Sequence, residues 1–233
     1  MVSLGASSPL KQRLLMQFVF IWAVIGAVFH LYTAFIGYLE PRTQRSIHLL
    51  LMVSLIFLLF PGKRSLAMER YSPNISSVLF FILALIPFAY SWMEADRINF
   101  RLEGVDDTLF IEMIMGTIAT IVILEGIRRA VSPVLAGLVS VCIFYLFVTD
   151  YMPGVLHYRP IGYGEIIETL YLATGQGMFG SITGIAATMV AIFIAFGAFM
   201  ESSGVGRLFT NGGELLAGKY SGGPAKVAVV TSA

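Results

Sequence analysis

The sequence predicts an all-α polytopic integral membrane protein with about six transmembrane helices, interfacial helices between them and the start of a re-entrant hairpin. Two compositional observations point there. The chain is 57% hydrophobic and 12% charged, whereas soluble domains are roughly 45–50% apolar and about 25% charged. Its mean hydropathy is +0.83. A third observation is spacing, since the apolar residues fall into six segments near the ~20 residues that cover a bilayer core at 1.5 Å per residue. Lys+Arg 15 against Asp+Glu 14 leaves a formal charge of +1, so net charge points to no nucleic acid and no acidic partner. The lone Cys142 lies in an apolar run and has no second cysteine in the chain to pair with, so it reads as a packing residue.

The six segments run over roughly 14 to 36, 44 to 60, 75 to 92, 108 to 127, 132 to 149 and 182 to 200. The first follows Lys11 and Arg13 but is longer than a secretory signal core, and no small-residue cleavage site follows it, so it is an uncleaved span. The second is the least apolar, because its hydrophobic part, Leu49 to Phe60, must borrow Gln44 to His48 as a first turn. Pro61-Gly62 ends it and Pro133 opens the fifth, both tolerated positions at helix boundaries. Pro87 lies inside the third and predicts a kink there.

Two connections read as helices in the membrane interface. Tyr163 to Thr174 sets Ile166, Ile167, Leu170 and Tyr171 against Glu165, Glu168 and Thr169, and Arg207 to Leu216 is shorter and similar. The final segment, Gly222 to Ala233, begins with Gly222, Gly223 and Pro224 and is too short to cross. It reads either as the start of something longer or as one arm of a re-entrant helix. Broken helices marked by glycine and proline are where secondary transporters place substrate and coupling ions. If this arm turns inward, Thr231 and Ser232 lie deepest, and Gly222, Gly223, Pro224, Thr231 and Ser232 are the candidate substrate or ion residues.

Residues with catalytic chemistry are sparse. The sequence shows no metal cluster, nucleophile elbow, phosphate loop or paired carboxylates, so no enzyme and no cofactor is predicted. His30 and His48 stand alone in sequence and read as structural hydrogen-bonding groups. Glu112, one turn past Asp106 and Asp107, reads as an interfacial carboxylate reaching headgroup water. Gly175 to Gly180, Gly197 and Gly204 read as helix-packing residues.

Several motifs, in order, resemble a known family. Arg42-Thr-Gln-Arg45-Ser-Ile-His48 precedes a span ending Phe60-Pro61. Arg101-Leu-Glu-Gly104-Val-Asp-Asp107 and Glu125-Gly-Ile-Arg128-Arg129 follow, then Gly177-Met-Phe-Gly180, Phe193 to Gly204 and Gly222 to Ser232. Together they resemble the amino-terminal part of fused TRAP transporter permeases of the TAXI type, with small and large membrane subunits in one chain. The resemblance implies a tripartite secondary transporter of the bacterial cytoplasmic membrane. An extracytoplasmic solute-binding receptor would deliver organic anions, often carboxylates, and a sodium or proton gradient would drive uptake by an elevator-like movement. Residues 1–160 would be the small-subunit-like scaffold with its connecting helix, and 161–233 the start of the large transporting subunit, ending in the first arm of its hairpin. The family's hairpin tip and the remainder of the large subunit would lie beyond Ala233, so the chain reads as a fragment of a longer permease. A non-transporting membrane scaffold or assembly subunit is the competing reading.

Orientation follows from the basic residues. With the amino terminus inside, Lys11, Arg13, Lys63, Arg64, Arg70, Arg128, Arg129, Arg207, Lys219 and Lys226 are cytoplasmic, and Arg42, Arg45, Arg97, Arg101 and Arg159 lie outside. Ten against five sets the amino terminus in the cytoplasm by the positive-inside rule. Reporter fusions at Tyr71 should score cytoplasmic and fusions at Gly104 extracytoplasmic; the reverse pattern would overturn this orientation.

Overall fold

A computed structural model describes residues 9–60, 75–205, 208 and 211. Five helical stretches are long and apolar enough to cross a membrane: Arg13–Ile36, Pro41–Leu59, Ile75–Met93, Phe110–Ala130 and Ser181–Ser202. They belong to α1 (Pro9–Ile36), α2 (Pro41–Leu59), α3 (Ile75–Met93), α5 (Phe110–Ala130) and a composite last helix. Between α3 and α5 lies the short α4 (Ala95–Asn99). The fifth predicted span is shorter than expected, because α6 (Pro133–Leu146) has 14 residues. That is about 21 Å of rise against a ~30 Å hydrocarbon core. The chain leaves the helix at Phe147 and passes through 3₁₀ turns at Thr149–Tyr151 and Gly154–Leu156.

Two compact units divide the chain at Thr188 and Met189. In the first, α2 is the central helix. It is the least hydropathic span, yet the most buried, with 44% of its most apolar stretch enclosed against 28% for α3 and α5. The order inverts because polar residues at its amino-terminal end are buried with protein partners, so its low hydropathy marks protein contact and not water. Val53 and Phe57 of α2 pack with Ala84 and Phe88 of α3 and with Ala119 and Val122 of α5. α1 is mostly exposed along its apolar length, as a lipid-facing helix is. Cys142 lies exposed on α6 and is no packing residue, contrary to the expectation from its apolar neighbours.

The predicted interfacial helix after residue 162 forms, but it is docked into the protein. α7 (Tyr163–Ile167) continues as a π turn, Glu168–Leu172. Ile167, Tyr171 and Leu172 join the core, where Gly116 of α5 lets them approach. The sequence periodicity found the apolar side, and α5 covers it. The second predicted interfacial helix, Arg207 to Leu216, falls almost wholly outside the described residues. A 3₁₀ turn at Gly177–Phe179 leads into α8 (Ser181–Ile185) and a second π turn, Ala186–Val190. In the second unit α9 (Ala191–Ser202) carries exposed Phe193, Ile194, Phe196 and Phe199.

Glu40 starts α2, accepting from the backbone N–H of Arg42 and of Thr43 at 2.9 Å. Partial burial pushes its carboxyl up, but these two amide donors outweigh that and hold it below the usual carboxylate range. The folded value lies below the unfolded one, so this stabilisation is full above the unfolded carboxyl range and vanishes as pH falls through the folded value.

Two stability outcomes follow, both read as melting temperature in detergent. A Cβ at Gly116 would sit 2.6 Å from Ile167 Cγ2 and 3.1 Å from Tyr171 Cβ, so Gly116→Val should destabilise by about 1–3 kcal/mol through overpacking. Glu40→Ala should cost about 1 kcal/mol near neutral pH, as cap loss does elsewhere, with the difference from wild type shrinking on acidification. An unchanged melting temperature in either variant would contradict the packing or the cap.

Candidate functional site

The first two turns of α2 carry a run of polar side chains that would be costly to leave unpaired in a low-dielectric interior. The structure pairs them with the segment that follows α6. Arg42, with no exposed surface, donates from Nη1 to Ser91 Oγ at 2.9 Å, from Nε to Thr174 Oγ1 at 3.2 Å and from Nη2 to the Leu172 carbonyl. Its guanidinium lies 4.7 Å above the centroid of the Phe179 ring. Ser46 donates to the same Ser91 hydroxyl at 2.9 Å. Gln44, also buried, donates from Nε2 to the Ala187 carbonyl at 3.2 Å and to Thr33 Oγ1 of α1 at 3.3 Å. Arg45 donates to the Phe179 carbonyl at 2.5 Å and lies against the backbone of Gly184, where a Cβ would stand 3.0 Å from the guanidinium.

Three side chains within four residues of α2 thus satisfy carbonyls at 172, 179 and 187. Two of those carbonyls belong to the π turns, whose i→i+5 bonding departs from the regular α ladder. The intervening loop is tight. Gly177 has φ +51°, and a Cβ there would overlap the carbonyls of Thr169 and Leu170, so only glycine fits that turn.

A second polar cluster fastens the same segment from the other side. Glu168 Oε1 accepts from Arg101 Nη1 and from the Gly104 amide, each at 2.8 Å, and Glu103 accepts from the Thr174 amide at 3.1 Å. Arg101 also donates to the Asp106 carbonyl, which closes the loop before α5. Glu112 departs from expectation here. Its side chain is fully buried, accepting from Arg97 Nη2 at 2.9 Å and from the Leu109 amide at 2.8 Å. It does not reach headgroup water, because α4 brings Arg97 over it from the preceding loop. Hydrogen bonding to Glu94, reinforced by Glu112, raises Arg97 above its ordinary value and keeps it charged. Asp106 and Asp107 are exposed, as an interfacial position requires.

The two solitary histidines meet. His30 Nε2 and His48 Nδ1 are 2.8 Å apart, and His30 Nδ1 is 2.6 Å from the Gly26 carbonyl. Since a carbonyl only accepts, His30 donates its Nδ1–H to Gly26, and its Nε2 pairs with His48 Nδ1. The pair is a hydrogen-bonded strut between α1 and α2. Among the described residues no three His, Cys, Asp or Glu side chains gather as metal ligands. The residues predicted for substrate or ion binding, Gly222, Gly223, Pro224, Thr231 and Ser232, lie outside the described residues.

Sequence reasoning counted Arg42 and Arg45 only as basic residues on the outer side, and the structure makes them internal fasteners. The available signal was the polarity of Gln44 to His48 at the head of a span otherwise hard to fill, which marks a helix end buried in protein.

These features define a multi-pass, all-α membrane protein in which the end of one central span holds a mixed π and 3₁₀ segment. From residue 118 to residue 233 the chain matches the family model described as Tripartite ATP-independent periplasmic transporter, DctM component. Over that part, just under half of its length, the chain is similar to the membrane component of such transporters. No curated protein and no solved structure matches the chain.

Arg42→Lys should lower the melting temperature sharply, because one ammonium cannot span Ser91, Thr174 and Leu172 as a planar fork does. The expected cost is about 3 kcal/mol, the lower end of what breaking a buried charged network costs. A variant as stable as wild type would show that Arg42 is not the fastener described.

Proposed function

We propose that this chain is the membrane permease component of a tripartite, binding-protein-dependent secondary transporter that imports organic anions, carboxylates among them, on a sodium or proton gradient. The family match from residue 118 onward carries the reading. The α2 contacts supply a physical division of labour. Residues 1–160 act as the scaffold, and its α2 side chains seat the backbone of the following segment at Leu172, Phe179 and Ala187. Residues 161–233 begin the transporting part, in a chain of the fused, TAXI-like type. Gly222, Gly223 and Pro224 turn the chain inward from the cytoplasmic surface, and Thr231 and Ser232 contribute to the substrate or ion site. Irregular backbone at membrane depth is tolerated where protein or a water-filled cavity satisfies it.

The test is uptake into proteoliposomes. Protein produced from its natural gene, reconstituted with the solute-binding protein of the same operon, should accumulate a labelled organic acid when a sodium or proton gradient is imposed. It should not do so without the binding protein. Cysteines at 231 and 232 should react with aqueous thiol reagents at a rate that substrate or sodium alters. Stable, correctly inserted protein that accumulates no organic acid under either gradient would overturn the transport reading. Labelling at both positions that no ligand alters would overturn the site.

A further inference from the structure

An apolar groove of about 410 Å³ opens between α2, α5 and α6. Val53 and Ile56 of α2, Ile123 and Ile127 of α5, and Val139 and Ile143 of α6 form its walls. Along α5 it extends from Thr120 to Val131. Eleven residues of helix rise about 16 Å, and half of a ~30 Å hydrocarbon core is about 15 Å. Helix α5 has 21 residues, enough to cover that core once. Thr120 lies at its middle, so the groove reaches from the membrane midplane to the end of the helix, the depth of one leaflet. Few polar atoms line it, which disfavours a polar solute.

The mouth is charged. The last turn of α5 holds Arg128 and Arg129 with Glu125 as their shared carboxylate, which leaves one net positive charge there. Arg129 is 3% exposed and spends its remaining reach on Ser77 and on the faces of Phe57 and Phe80. Arg128 is different. Its side chain is 47% exposed, and only Nε and Nη2 engage Glu125. Among the described residues its Nη1 has no hydrogen-bond partner, and Arg128 precedes the groove-lining Ala130 and Val131 by two and three residues in the last turn of α5.

We propose that this groove binds one acyl chain of an anionic phospholipid of the adjacent leaflet, with the headgroup phosphate held by Arg128. Depth, apolar lining and charge agree on that occupant. The chain lies in the groove from the arginine inward, and its far end meets Ile143 near the midplane. Bound there, the lipid wedges between α6 and the central α2–α5 pair. The proposal rests on the membrane-spanning fold and not on the transport reading.

The test is photo-crosslinking of the full protein in nanodiscs of phosphatidylcholine containing a minor fraction of phosphatidylglycerol, with benzoylphenylalanine at Ile143. Mass spectrometry should find a phospholipid adduct enriched in phosphatidylglycerol about fivefold over its share of the disc, as one basic residue at a membrane surface provides. Arg128→Gln should bring that enrichment to near parity while leaving adducts. Val139→Phe, which fills the groove, should remove them. Adducts to peptide alone would assign the groove to another part of the polypeptide and overturn the proposal. Enrichment unchanged by Arg128→Gln would overturn the headgroup contact. Because Arg128→Gln alters only a half-exposed side chain, its result stands even if Val139→Phe fails to insert.

Discussion

A guanidinium removed from water must recover several kcal/mol of lost hydration through the groups around it. Among the described residues Arg42 recovers it from two hydroxyls, one carbonyl and an aromatic face contributed by α3 and by the segment from Leu172 to Phe179. Because the fork is planar and its donors point in fixed directions, each acceptor must occupy one place relative to α2. The charge at the head of α2 thereby sets the position of a segment 130 residues later in the chain. Ser46, Gln44 and Arg45 extend the same constraint over little more than one turn of helix.

The irregular conformation of the later segment follows. A π turn departs from the regular α ladder and is rarely stable on its own. Here the Leu172 and Ala187 carbonyls find partners on α2, and Glu168 is clamped by Arg101 and Gly104. Gly177 permits the return between the two turns.

Much of the fold was legible in the sequence because membrane spans report themselves through length and hydropathy. The carboxyl-terminal limits of α1 and α3, and that of α5 to within three residues, follow from apolar runs that stop at Gly37, Glu94 and Arg128. The shortness of α6 was not legible, since Phe147 and Val148 continue the apolar run after the helix has ended. The fastening site was not legible for a related reason. A basic residue at the end of a span has two physical solutions, a lipid headgroup or a buried neutral shell, and the partners that decide for Arg42 lie 49 to 132 residues away. The same holds for the His30–His48 pair and for the burial of Glu112, each made by a partner from another element.

Amide hydrogen exchange on the protein in nanodiscs tests the central claim most directly, comparing wild type with Arg42→Met. If the head of α2 holds the later segment, amides from Glu168 to Thr188 should lose protection in the variant, while those in the middle of α5 stay as protected as in wild type. Equal protection of residues 168–188 in the two proteins would contradict the account, because the segment would then hold its shape without the arginine.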